Sequence, residues 1–393
     1  MSQTPDSASA QRQSNFHGCP PNLYTITLAS KTLASFLGGG YGSGVMMKRP
    51  IFILILAGLG SLAGQVDSAQ TPVIRVSTSL VTRASHSLTT NTPARTTSSR
   101  PAKKSPSLME TATLQTALDR NGFGVGLIDG QAGSRSAQAL HDYAQSNGLT
   151  DREARASLLA DTEPATNTYT ITEEDLAKVG TAPTDYEEAS KVPAMACASL
   201  DEVLLEKFHV SRIFLGRLNP GLTNWAGVTA GTEIMVPNSR TDEWTEEAAR
   251  LEVDCSAYRI RAYDTNNTII ASFPCSIAKK LNKVPVGDLT LVAFAPNPNY
   301  TFDPDNFPES PRAREIGQKL IIPPGPRNPV GVYWLSLSAP GFGMHGTPHP
   351  ETIGRRESHG CFRLTNWDIT TLSGMVEAGT PVRVMNVPAE PAE

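Results

Sequence analysis

The chain has 393 residues, 39% of them hydrophobic, and a formal net charge of −4. That length supports two or three domains with ordinary cores. The absence of a basic excess excludes nucleic acid as a partner class.

Residues 1–45 are polar and Gly-rich, with Gly38-Gly39-Gly40 and no periodicity. They read as a non-native or disordered leader ahead of a true start at Met46 or Met47, with a genuine long leader as the alternative. Residues 46–69 read as a signal peptide: Lys48-Arg49, then an apolar run from Ile51 to about Ala63, then small residues up to Ala69. That run is too short for a membrane span and suits a secretory signal core. After cleavage no stable span is expected, and the protein is placed in the periplasm or cell envelope.

Residues 70–107 are dense in Ser, Thr and Pro, and carry Arg75, Arg83, Arg95, Arg100, Lys103 and Lys104 without an acid. Such a segment buries too little apolar surface to offset its ordering entropy, so it reads as a linker.

In residues 108–160, Leu114 and Leu118 lie one helical turn apart, Asn121-Gly122 closes that helix and Asp129-Gly130 marks a turn. Ser134 is expected to cap a second helix with Ala137, Leu140 and Tyr143 on its apolar side. The string Leu114-Gln115, Gly122-Phe123, Ile128-Asp129-Gly130, Ala139-Leu140, Gly148-Leu149 resembles the three-helix peptidoglycan-binding domain. Residues 161–193 read as a second linker. Residues 194–238 carry Leu200, Leu204 and Phe208, a capping Ser211, the breaker Asn219-Pro220-Gly221 and a closing strand Ile234–Pro237. With a short front strand at Ala194–Ala198, this segment resembles a LysM module, whose βααβ fold binds N-acetylglucosamine polymers.

From Leu251 the pattern becomes β: Val253, Tyr258 and Ile260, the turn Asp264–Asn267, then Ile269–Phe273, Leu289–Phe294 and Val330–Leu337. Residues 296–329 are Pro-rich and read as a long loop, a lid or substrate wall. Of the five cysteines, Cys19 precedes the signal. Cys197, Cys255 and Cys275 read as buried thiols, with a Cys255–Cys275 bridge as the alternative.

The segment His345 to Asp368 holds the one plausible nucleophile and base together. A free thiol is only about 3% thiolate at pH 7 and needs a neighbouring imidazole to take its proton. His345, His349 and His359 all precede Cys361 closely. A zinc site from these four residues is chemically possible, but the expectation is no metal and no cofactor. The pattern His345-Gly346, then Ser358-His359-Gly360-Cys361, then Arg363 resembles the YkuD-type L,D-transpeptidase catalytic domain, over residues 249–387. Pro285-Val286-Gly287, Asn328–Gly331, Gly341 and Gly379–Val382 extend the likeness; Phe362 departs from it, standing where an aliphatic residue is usual.

The resemblance implies a role for each matching residue. Cys361, expected to be accessible, attacks a stem-peptide carbonyl and carries the acyl group, and carbapenems acylate it. His345 is the base, oriented by the Gly346 carbonyl. The backbone N–H groups of Gly360 and Cys361, with the His359 side chain, form the oxyanion hole. Arg363 clamps a substrate carboxylate, or else pairs with Asp368; Ser358 and Thr347 brace the loop.

The fold expected is multidomain α+β, a mainly β catalytic domain preceded by small helical wall-binding modules. The partners expected are peptidoglycan stem peptides and glycan strands, acted on by a monomer. The function expected is L,D-transpeptidation: the tetrapeptide stem is cut after its third residue, D-Ala leaves, and the acyl group passes to a diamino-acid amine. An L,D-carboxypeptidase, a protein-to-wall anchoring enzyme and a non-catalytic wall-binding protein are the alternatives.

Overall fold

The computed structural model describes residues 106–240 and 244–389. The leader, the signal peptide, Cys19 and nearly all of the first linker lie outside them. Among the described residues, no helix is long and apolar enough to cross a membrane.

Helices α1 (Leu108–Arg120), α2 (Ser134–Ser146) and α3 (Asp151–Leu159) pack together. Ser107 caps α1, and Thr150 caps α3 in a reciprocal box with Glu153. The cap of α2 is Gly133 rather than Ser134, and Ala137 is exposed. The buried side of α2 instead carries Ala139 and Asp142, because it faces the catalytic sheet, a partner that local spacing does not reveal.

The stretch read as a second linker carries structure: β1 (Thr166–Thr170), α4 (Glu173–Ala177) and α5 (Tyr186–Ala189). After it come α6 (Leu200–Phe208), α7 (Arg212–Leu218) and β2 (Glu233–Pro237). Strand β1 pairs antiparallel with β2, from Thr166 opposite Pro237 to Thr170 opposite Glu233. The front strand therefore lies at 166–170; Ala194–Ala198 contributes only an isolated bridge, Val179 to Cys197. The three helices and this second unit share one core, in which Leu114, Leu118, Ile128, Leu204, Phe214 and Val236 meet.

Residues 250–385 are α+β and mainly β. Its strands are β3 (Arg250–Asp254), β4 (Arg259–Tyr263), β5 (Ile269–Pro274), β6 (Ile277–Ala278), β7 (Gly287–Pro296), β8 (Tyr300–Phe302), β9 (Leu320–Ile322), β10 (Tyr333–Leu337), β11 (Gly343–His345), β12 (Arg356–Ser358), β13 (Phe362–Arg363) and β14 (Pro381–Met385). Eight of them form one sheet in the order β13-β11-β10-β7-β14-β3-β4-β5. The β4–β5 turn forms because the Asp264 carboxylate accepts from the N–H groups of Asn266 and Thr268. Helix α9 (Asn366–Met375) buries Ile369, Leu372 and Met375 in the same core as the sheet.

The expected long loop contains β8, α8 (Pro311–Ile316) and β9, with Phe302, Ala313 and Ile316 as a small core of its own. The buried Asn328 side chain anchors its base, donating to the carbonyls of Pro298, Ile322 and Pro323. Tyr186 of α5 stacks on Phe302 at 4.4 Å.

The helical units are fastened to the sheet by buried polar contacts. Asp142 lies 2.8 Å from Arg259 Nε and 2.7 Å from Arg261 Nε, with Asp142 and Arg259 fully buried. The first contact is an ion pair by distance, although the Arg259 N–H is not aimed along it. His209 meets Asp119 at 2.9 Å and stacks on Trp367. Cys197, Cys255, Cys275 and Cys361 are all unbridged and buried; burial pushes the Cys197 and Cys255 thiols up to about 12.

Candidate active site

Three adjacent strands build the site. Strand β11 runs antiparallel to β10, with Trp334 opposite His345, and parallel to β13, with His345 beside Arg363. Side chains alternate across a sheet, so Trp334, His345 and Arg363 stand in a row on one face. Met344 and Phe362, also paired, turn to the other face and are wholly buried in the core. The aromatic ring of Phe362 thus fills core and does not line the cleft. Cys361 precedes β13 by one position, at a bend.

His345 is buried. Its Nδ1 lies 2.7 Å from the carbonyl oxygen of Gly346. That oxygen can only accept, so Nδ1 carries the proton and donates. Burial pushes the imidazole down to about 3, the Arg363 charge acts in the same direction, and the Gly346 carbonyl opposes them. The ring is therefore neutral at physiological pH, and its Nε2 lone pair is a proton acceptor. Trp334 stacks on it at 5.4 Å, its own Nε1 tied to Ser336 Oγ.

Cys361 is only 3% exposed, against the expectation of an accessible nucleophile. Its Sγ is 3.8 Å from the Gly341 carbonyl. The turn before it is closed by Ser358, whose Oγ donates to Cys361 O at 2.6 Å and accepts from Gly360 N at 3.2 Å. The Gly360 N–H, expected in an oxyanion hole, is thus engaged within the turn. A Cβ at Gly360 would stand 2.6 Å from the Phe342 ring, which is why the position takes glycine.

A profile of the YkuD L,D-transpeptidase catalytic domain matches residues 248–384. The putative L,D-transpeptidase YkuD of Bacillus licheniformis is 30% identical over 183 residues, 47% of this chain and 92% of that protein. The chain belongs to the YkuD L,D-transpeptidase family. The putative L,D-transpeptidase YkuD of Bacillus subtilis is 29% identical over 177 residues, 45% of this chain and 88% of its own. Among solved structures, the catalytic domain of an E. faecium L,D-transpeptidase is 23% identical, with a TM-score of 0.27, covering 36% of this chain and 98% of that one.

The other expected site residues of this YkuD chain are dispersed. His359 is half exposed, edge-on to Phe307 at 5.1 Å and 3.8 Å from Glu309, both from the 296–329 segment. Thr347 is buried and accepts from His349 N at 3.2 Å, bracing the loop. His349 lies at the surface, 3.5 Å from Glu351. The four residues weighed as zinc ligands thus have separate neighbours. Arg363 donates one long bond, 3.4 Å, to the Glu357 carbonyl. Among the described residues it has no ion-pair partner. Asp368 is instead buried, and the loss of solvent, with the Asp119 charge nearby, pushes its carboxyl up to about 6.

The sequence reading passed over Trp334 and Asn366. Trp334 sits at a half-buried strand position where its only signal was bulk. Asn366 carried a visible cue, as the residue after Thr365 at the start of a helix, but its contacts are remote in sequence.

Proposed function

We propose that this chain is a peptidoglycan L,D-transpeptidase whose acyl carrier is Cys361 and whose base is His345. The observation that carries the reading is the buried, neutral His345, fixed through Nδ1 by the Gly346 carbonyl and paired across β11 and β13 with Arg363, two residues beyond Cys361.

Cys361 Sγ attacks the carbonyl that links the third stem residue to the terminal D-Ala, and its proton passes to His345 Nε2. The tetrahedral intermediate collapses, His345 returns that proton to the departing amine, and D-Ala leaves a thioester on Cys361. A diamino-acid amine of a neighbouring stem then attacks the thioester. His345 takes the amine proton and restores it to the leaving sulfur. Arg363 holds a stem carboxylate; the burial of the site keeps water from the thioester.

Residues 108–238 bind wall in this reading, and the protein works in the periplasm or cell envelope after removal of the signal peptide. Amino-terminal sequencing of the exported protein should find a start beyond about residue 63. Mass spectrometry of muropeptides incubated with the protein tests the reaction. Cross-linked dimers are expected; trimmed stems alone would mean a carboxypeptidase, and unchanged stems a non-catalytic protein.

A further inference from the structure

Asn366 stands at the first position of α9, beside the loop that holds His345. A Cβ on Gly346 would come within 2.3 Å of Asn366 Oδ1, and one on Gly331 within 2.2 Å. The two loops thus close directly onto this amide, and Asn366 Oδ1 accepts from Val332 N at 3.3 Å. The amide can sit this way round only if its NH2 group has acceptors on the far side. Two are present: the Pro326 carbonyl at 3.0 Å and Glu206 Oε1 at 3.1 Å. Glu206 belongs to α6, which packs on α9. Glu206 is half-buried.

A chain of contacts therefore runs from Glu206 to Asn366, from Asn366 to Gly346, and from the Gly346 carbonyl to His345 Nδ1. Glu206 lies outside residues 248–384, the span matched by the catalytic-domain profile. We propose that Glu206 is a positioning residue for the reaction: through Asn366 it fixes the carbonyl that orients His345. The inference rests on reading His345 and Cys361 as the reacting pair. It makes the segment before the catalytic domain part of the catalytic arrangement. Burial pushes the Glu206 carboxyl up to about 8, so near neutrality it is largely uncharged and glutamine reproduces its acceptor.

The test uses the full chain with Glu206→Ala, Glu206→Gln, Glu206→Asp and Asn366→Ala. Two rates are read at neutral pH: alkylation of Cys361 by iodoacetamide, followed by intact mass, and turnover of a stem tetrapeptide. Glu206→Ala is expected to slow alkylation and kcat by about 10-fold or more, since small misplacements of reacting groups cost that much, while KM stays within about twofold. Glutamine should restore both rates to within about threefold of the parent, and the Glu206→Ala, Asn366→Ala pair should be no slower than Asn366→Ala alone. If Glu206→Ala does not fold, Glu206→Asp, which keeps the acid but withdraws the acceptor, should show the loss. Parental alkylation by the folded Ala or Asp variant, or a Gln variant as slow as Ala, overturns the proposal. If the parent itself leaves stem peptides unchanged, the proposed function fails while the alkylation rates still decide Glu206.

Discussion

Replacing Arg363 by alanine separates a substrate clamp from a structural cation. In the resting protein the Arg363 side chain makes one hydrogen bond, 3.4 Å long, to a backbone carbonyl. Losing so weak a contact should cost less than about 1 kcal/mol, or a thermal midpoint shift of no more than about 2–4 °C. A guanidinium fork closed on a substrate carboxylate is another matter: a hydrogen bond to a charged group contributes about 1.5–3 kcal/mol, which is roughly 10- to 150-fold in kcat/KM. Arg363→Lys keeps the charge without the fork and should fall between. Iodoacetamide has no carboxylate, so alkylation of Cys361 should change far less than stem-peptide turnover. A second signature concerns His345. The Arg363 charge helps to hold that imidazole below its ordinary range, so removing it moves the His345 pKa upward. The acid limb of the kcat/KM profile, which needs neutral His345, should then shift to higher pH in Arg363→Ala but not in Arg363→Lys. Kinetics, pH profiles and thermal midpoints of both variants decide the matter. Parental turnover in both, or a fall in every rate together with a large loss of thermal stability, refutes the clamp.

Three further outcomes are expected. Cys361→Ala should lose the carbapenem adduct seen by intact-protein mass spectrometry; because Cys361 is buried, it should also cost about 1 kcal/mol of stability, and an adduct surviving in the variant means another nucleophile. For His345, the folded-state pKa of about 3 lies below the unfolded 6.5, so the unfolded chain binds the extra proton between those values. Stability should decline as pH falls through that window, by up to about 1.4 kcal/mol per pH unit, and His345→Gln should flatten the slope; an unchanged urea-melt slope counts against the burial argument. Asp142→Ala should strand the fully buried Arg259 without its counter-charge and cost about 3–5 kcal/mol, visible as a large drop in thermal midpoint with stem turnover intact below it; an unchanged midpoint would show the ion pair to be dispensable.

The parts of this architecture legible in the sequence are those whose cause is local. The site motif could be read because His345-Gly346, Ser358–Cys361 and Arg363 lie close together in one segment with the spacing of the YkuD pattern. The turn at Asp264 could be read because one carboxylate satisfies two nearby N–H groups. Strand β1 was missed because Thr166–Thr170 is polar and its partner, Glu233–Pro237, comes more than sixty residues later. Ala137 was placed wrongly because the buried side of α2 is set by Arg259 and Arg261, more than a hundred residues away. The same distance hid Glu206 from Asn366. The engagement of Gly360 N–H was hidden for a different reason: Ser358 Oγ both accepts and donates within its turn, and spacing alone does not say which bond it chooses.

These long-range contacts change what wall binding by residues 108–238 would accomplish. A module on a flexible tether raises the local concentration of substrate but leaves its orientation free. Here the helical units share one core; Asp142 ties them to β4, His209 stacks on Trp367 of α9, and Glu206 accepts from Asn366 at the start of α9. A glycan strand held by this unit would therefore present its stems to Cys361 at a fixed angle. The same rigidity has a cost. If the proposed role of Glu206 holds, strain imposed on α6 by a bound strand would reach Asn366 through it. Wall contact and the set of His345 would then be mechanically linked, and changes in the α6–α9 packing should alter turnover on sacculi more than turnover on free stem peptides.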